Sequence, residues 1–106
     1  MKLVLGSSSP LRLELLSQIG VIPDEIREPA IDEKCFNGEL PRKYCNRVVL
    51  AKLNAITCNP DEVVLCGDTT IALGRRVLGK PKDKDQAMKY LIALSGRRHR
   101  VITAIA

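Results

Sequence analysis

Lys2-Leu3-Val4-Leu5-Gly6-Ser7-Ser8-Ser9-Pro10-Leu11-Arg12 carries the clearest structural signal in the chain, because a short apolar run passes through glycine and serines straight into a helical pattern. A strand that turns this way into a helix N-terminus offers backbone N–H groups and the positive end of the helix dipole to an anion. The expected guest is a phosphate. Ser9 reads as the N-cap and Pro10 as the first helical residue, where its missing N–H costs nothing. Leu11, Leu15, Leu16 and Ile19 form the apolar face of this helix, and Gly20 ends it.

Beyond that opening, helical and extended patterns alternate. A second helix is expected from Pro41 towards Cys58, with Tyr44, Val48, Ala51 and Ala55 as its stripe and Lys52 beside the edge. Val63-Val64-Leu65-Cys66 reads as a buried strand that runs into Gly67-Asp68-Thr69-Thr70, before Ile71-Ala72-Leu73 resumes the apolar pattern. This places Asp68 at a strand-to-turn junction. After a turn at Gly74-Arg75-Arg76 and the segment Val77-Leu78-Gly79-Lys80-Pro81, a third helix is capped by Asp83, with Gln86 three residues on and Gly96 at its end. Val101 to Ala106 reads as a strand. The expected class is α/β, a mixed sheet with flanking helices, in one unit spanning 1–106.

Composition narrows the function classes. The 106 residues are 45% hydrophobic and 27% charged, an ordinary globular balance, and no apolar stretch approaches the roughly 20 residues of a membrane span. Without an export signal the expected location is the cytoplasm. A net charge of +5 suits an anionic partner, but aromatic residues at 3% leave little surface for stacking single-stranded bases. Cys35, Cys45, Cys58 and Cys66 lack the close spacing of a structural zinc site and read as reduced thiols. His99 is the only histidine, and nothing local pairs it with a cysteine.

Several polar residues carry two readings each. Asp68 is either a general base on a rigid scaffold or a turn aspartate bonded to nearby backbone. Glu33 is either a ligand for Mg²⁺ or Mn²⁺, with Asp32 beside it as a substitute, or part of a solvated acidic loop. Lys52 and Lys80 neutralise phosphate as point charges or face water, and Arg12 can take two oxygens in its fork. Gly74 to Lys80 imitates a P-loop, but Pro81 stands where a serine or threonine must bind Mg²⁺. Arg97-Arg98-His99-Arg100 is the densest basic cluster, which carries the rival reading of a small nucleic-acid-binding module.

Taken in order, Ser7-Ser8-Ser9-Pro10-Leu11-Arg12 with Glu14-Leu15-Leu16, Ile31-Asp32-Glu33, Tyr44 with Lys52, Gly67-Asp68-Thr69, Gly79-Lys80-Pro81 and Leu94-Ser95-Gly96 with His99, Val101 and Thr103 resemble the Maf family. Its members are nucleoside triphosphate pyrophosphatases, once described as septum-formation inhibitors and so linked to arrest of cell division. The resemblance implies hydrolysis of a nucleoside triphosphate to the monophosphate and diphosphate, a house-cleaning reaction on non-standard nucleotides. It makes Asp68 the proton acceptor and a metal ligand with Glu33, and Ser7, Ser9, Arg12, Lys52, Thr69 and Lys80 the substrate contacts. It also implies a divalent cation, Mg²⁺ or Mn²⁺. Threonine after Asp68 looks like the branch acting on dTTP and UTP.

Two departures from the family pattern stand out. Leu11 replaces the first arginine of S-x-S-P-R-R, which leaves Arg12 alone in the cradle. Family members are also about twice this length, so the expected structure is the first half of their domain. The implied partners are the nucleotide and either a second copy or a separate C-terminal half. A fragment that binds nucleotide without turnover, or an inactive relic, is the non-enzymatic alternative.

Overall fold

In the computed structural model, residues 1–7, 9–79 and 83–106 are described. Strand β1 (Lys2–Leu5) is the centre of a parallel sheet, with β2 (Glu25–Ile26) on one side and β3 (Glu62–Leu65) on the other. Parallel neighbours require long crossovers, and α1 (Pro10–Gln18) and α2 (Pro41–Ala55) lie in them. Val4 and Leu5 are buried, as the opening apolar run leads one to expect. Gly6 then passes so close to Ile56 and Cys66 that any side chain there would strike both.

The chain leaves β3 through Cys66 alone and continues as β4 (Gly67–Leu73). This second segment pairs antiparallel with β5 (Arg76–Leu78) and β6 (Arg100–Ile105). Cys66 donates its N–H to the Ala106 carbonyl at 2.8 Å and accepts the Ala106 N–H at 3.0 Å, so the antiparallel pairing extends through the junction. Residues 62–73 thus form one ribbon shared by two three-stranded sheets. The α/β class and its flanking helices agree with the sequence reading, while the mixed pairing is divided between one parallel and one antiparallel sheet.

Helix α2 packs on β4 and β6 and supplies the core. Cys45 and Val48 are fully buried, and Val49 clusters with Ile56 and Cys66. Burial also pushes the Cys45 and Cys66 thiols up in pKa, which keeps them protonated and unreactive. All four cysteines are free. The last helix, α3 (Lys84–Leu94), begins as its sequence requires, with Asp83 Oδ1 accepting the Gln86 N–H at 2.8 Å. Gly96 follows it with φ of +69°, the left-handed conformation suited to a helix exit.

Three expectations need correction. Helix α2 stops at Ala55, and its buried residues are Pro41, Cys45, Val48 and Val49, a stripe rotated from the expected one. The helix sits over β4 and β6, which turns Tyr44 towards the loop before it and leaves Ala55 exposed. The apolar face of α1 is not buried: Leu11, Leu15 and Ile19 are exposed, and only Leu16 of that set is half-covered. Asp68 lies within β4, not at a turn, because pairing with β6 overrides the local turn character of Gly67-Asp68-Thr69.

Candidate functional site

The carboxyl ends of β1 and β3 open side by side, with Leu5 opposite Leu65. In parallel sheets this end forms the crevice where ligands bind. Ser7 follows β1, Asp68 follows β3, and Glu33 sits on the loop after β2. Three separate chain segments therefore deliver polar side chains to one edge.

Lys52 joins two of them. Its Nζ lies 3.1 Å from Glu33 Oε1 and 3.2 Å from Asp68 Oδ1, and it donates to the Gly67 carbonyl at 3.4 Å. The second Asp68 oxygen, Oδ2, accepts the Thr70 hydroxyl at 3.1 Å. Both carboxylate oxygens thus have a partner, which fixes the plane of the group. The Asp68 and Lys52 side chains are each only 13% exposed. In a pair so sheltered from water, removing one member leaves the other as an uncompensated charge. A turn aspartate would bond nearby backbone, whereas the partners of Asp68 are side chains from α2 and β4.

Arg12 occupies the other side of the crevice. Its guanidinium donates to Ser7 Oγ at 3.5 Å and to Thr69 Oγ1 at 3.4 Å, and Thr69 meets the Thr103 hydroxyl at 3.1 Å. A Cβ on Gly67 would stand 3.0 Å from Arg12 Nε, so this glycine lets the arginine cross the strand. Ser9 has the extended backbone of an N-cap, but no side-chain capping bond; its own N–H donates to Ser7 Oγ at 3.1 Å.

Two clefts meet at Glu33. A polar one of about 290 Å³ is lined by Ser7, Ser9, Arg12, Glu28 and Lys52, and a second of about 430 Å³ by Tyr44, Asp68, Thr69 and the apolar Ile71 and Val77. Hydroxyls, one guanidinium and one ammonium along the first are groups able to bind phosphate oxygens, alongside the carboxylates of Glu28 and Glu33. Among the described residues no three Cys, His, Asp or Glu side chains gather into a metal-binding group. Mg²⁺ sites, however, commonly take one or two carboxylates and fill their remaining positions with water and phosphate oxygens. Glu33 and Asp68, held 3.1 and 3.2 Å from the same ammonium, fit that donor set.

Of the residues selected from sequence, Ser7, Ser9, Arg12, Glu33, Lys52, Asp68 and Thr69 line these connected clefts. Asp32 instead accepts the Lys34 N–H at 3.0 Å and is exposed. Lys80 lies outside the described residues. Arg97, Arg98 and His99 before β6, and Arg100 at its start, are exposed, and none of them lines either cleft. Thr70 went unnoticed in the sequence. The signal was available, since residues two apart in a strand share a face and Asp68, Thr70 and Ala72 are all buried.

The family model described as Maf-like protein matches residues 2–106. A dTTP/UTP pyrophosphatase of Ruegeria sp. (strain TM1040) is 60% identical over 106 residues, which are 100% of this chain and 55% of that protein. One of the same description from Roseobacter denitrificans is 62% identical over 103 residues, 97% of this chain and 55% of the relative. A nucleoside triphosphate pyrophosphatase of Anaplasma marginale (strain Florida) is 51% identical over 104 residues, 97% of this chain and 53% of its own length. The chain spans about half the length of the curated relatives it matches. A match along nearly the whole chain, at identities of this order, makes it a member of the Maf family.

Proposed function

We propose that this crevice is the nucleotide-binding and hydrolytic centre of a nucleoside triphosphate pyrophosphatase, acting on dTTP or UTP and releasing the monophosphate and diphosphate. The observation that carries the reading is Lys52 held between Glu33 and Asp68 beside the Ser7 and Arg12 cradle. The description of the relatives from Ruegeria and Roseobacter as dTTP/UTP pyrophosphatases supports the choice of pyrimidine substrates.

The triphosphate lies along the polar cleft. Ser7 and Ser9 offer hydroxyls to its oxygens, while Arg12 and Lys52 offset its charge. A water oxygen attacks the α-phosphorus as Asp68 accepts its proton; the bond from that phosphorus to the bridging oxygen breaks, and the electron pair leaves with diphosphate. Asp68 is suited to this because Thr70 and Lys52 fix its plane on a paired strand. Glu33 and Asp68 would hold a divalent cation, Mg²⁺ or Mn²⁺, which supplies further neutralisation of phosphate charge. Lys52 must then exchange part of its contact with the carboxylates for phosphate.

Product analysis tests the reading. Incubation with dTTP and Mn²⁺ should give dTMP and diphosphate. The appearance of dTDP and orthophosphate would overturn the site of attack. If the folded chain binds dTTP without turning it over, it is a nucleotide-binding fragment and the hydrolytic assignment fails for this chain.

A further inference from the structure

Glu33 reaches the crevice on a loop, residues 27–40, that contains no helix or strand. Phe36 and Leu40 on this loop are exposed. Two side chains of α2 hold it. Tyr44 Oη donates to the Glu33 main-chain carbonyl at 2.5 Å. Arg47, one turn further along, donates through Nη2 to the Lys34 carbonyl at 2.9 Å. The same guanidinium grips both oxygens of Glu39, at 2.7 and 2.9 Å, and lies 3.8 Å from the centre of the Phe36 ring. Glu39 in turn accepts the Phe36 N–H at 3.1 Å.

Successive carbonyls are thus pinned from one helix, while Lys52 of that helix holds the Glu33 carboxylate.

We propose that Tyr44 and Arg47 are positioning residues which clamp the main chain at 33–34 and so fix the Glu33 carboxylate opposite Asp68, setting the affinity of the crevice for a divalent cation with its nucleotide. The assignment rests on Glu33 as a metal ligand, the reading proposed above. Neither residue touches a reacting atom; each acts through Glu33.

The test uses the whole chain, with Mn²⁺ as the probe in the presence of α,β-methylene-dTTP, and reads bound against free Mn²⁺ by electron paramagnetic resonance. Tyr44→Phe removes one hydroxyl and keeps the ring. It should weaken Mn²⁺ binding on the order of 10-fold, the usual effect of removing the support of a metal ligand, with far-ultraviolet circular dichroism unchanged. Arg47→Gln should act in the same direction, and both should speed hydrogen exchange at the amides of residues 34–36.

The decisive comparison is the double-mutant cycle with Glu33→Gln. Once Glu33 no longer binds the ion, Tyr44→Phe should add nothing. An equal loss in both backgrounds, or no loss in either, would overturn the clamp. If Glu33→Gln alone leaves Mn²⁺ binding unchanged, Glu33 is not a ligand, and the clamp falls with that premise.

Discussion

Helix α2 buries Pro41, Cys45, Val48 and Val49 against β4 and β6, whereas α1 buries no residue, although both helices begin with proline and each sends a cation into the crevice. The difference reaches the chemistry. Lys52 stands on a packed helix and makes contacts of 3.1 and 3.2 Å to two carboxylates. Arg12 reaches in from the uncovered helix, and its bonds to Ser7 and Thr69 are longer, at 3.5 and 3.4 Å. Beside it, an apolar groove of about 220 Å³ runs between Leu15, Leu16 and Ile19 of α1 and Ile105 of β6. On the proposed function, the packed half would serve the transition state and the uncovered half would serve binding.

That contrast breaks most readily through kinetics. Asp68→Asn should lower turnover by a factor on the order of 10²–10⁴, far more than it changes nucleotide affinity. Arg12→Ala should instead weaken affinity, by about 10–100-fold, with the smaller change in turnover. Steady-state rates and a nucleotide titration on both variants decide it, and the reverse pattern would invalidate the division between the halves.

Stability sharpens the same comparison. Val48→Ala opens a gap in the core and should cost about 1–3 kcal/mol, whereas Leu15→Ala removes an exposed side chain and should stay within about 0.5 kcal/mol. Urea unfolding of the two variants separates these values. A Leu15→Ala cost equal to that of Val48→Ala would mean that α1 is covered in solution.

The smallest effect concerns acid. Arg27 holds Glu62 at 2.7 Å and Glu25 at 2.9 Å, which ties β2 to β3 across the parallel sheet. The hydrogen bond to Arg27, and then that from the Asn59 backbone, hold the Glu62 carboxyl below its usual range. A folded value below the unfolded one gives stability that is present above about pH 4.3 and lost as pH falls through the folded value. Glu62→Gln should therefore show a shallower loss of melting temperature on acidification than the parent. Identical acid profiles would remove Glu62 from the account.

The sequence made the helix of residues 10–18 legible through its spacing, but a periodic face does not say what lies against it. Leu11, Leu15 and Ile19 repeat correctly and remain exposed. Asp83, Gln86 and Gly96 marked the ends of α3 because capping is a local interaction. Asp68 was legible as a candidate and misplaced as to element, since the pairing of β4 with β6 is set by residues far along the chain. The meeting of Glu33, Lys52 and Asp68 depends on the crossover between parallel strands, which no local pattern encodes. Tyr44 and Arg47 belong to a recognisable helix, but their partners are carbonyls, and these carry no sequence signal.

The single ribbon from residue 62 to residue 73 also sets an order of events for the nascent molecule. One end of it is placed by a ladder that begins with residues 2 and 62, the other by a ladder that begins with residues 67 and 105. Such distant pairings form slowly, because loop-closure entropy must be overcome before their contacts repay it. The helices can form early and locally, yet Asp68 gains its neighbours only when both ladders have closed. The meeting of Glu33, Lys52 and Asp68 is therefore expected to form late as the chain folds.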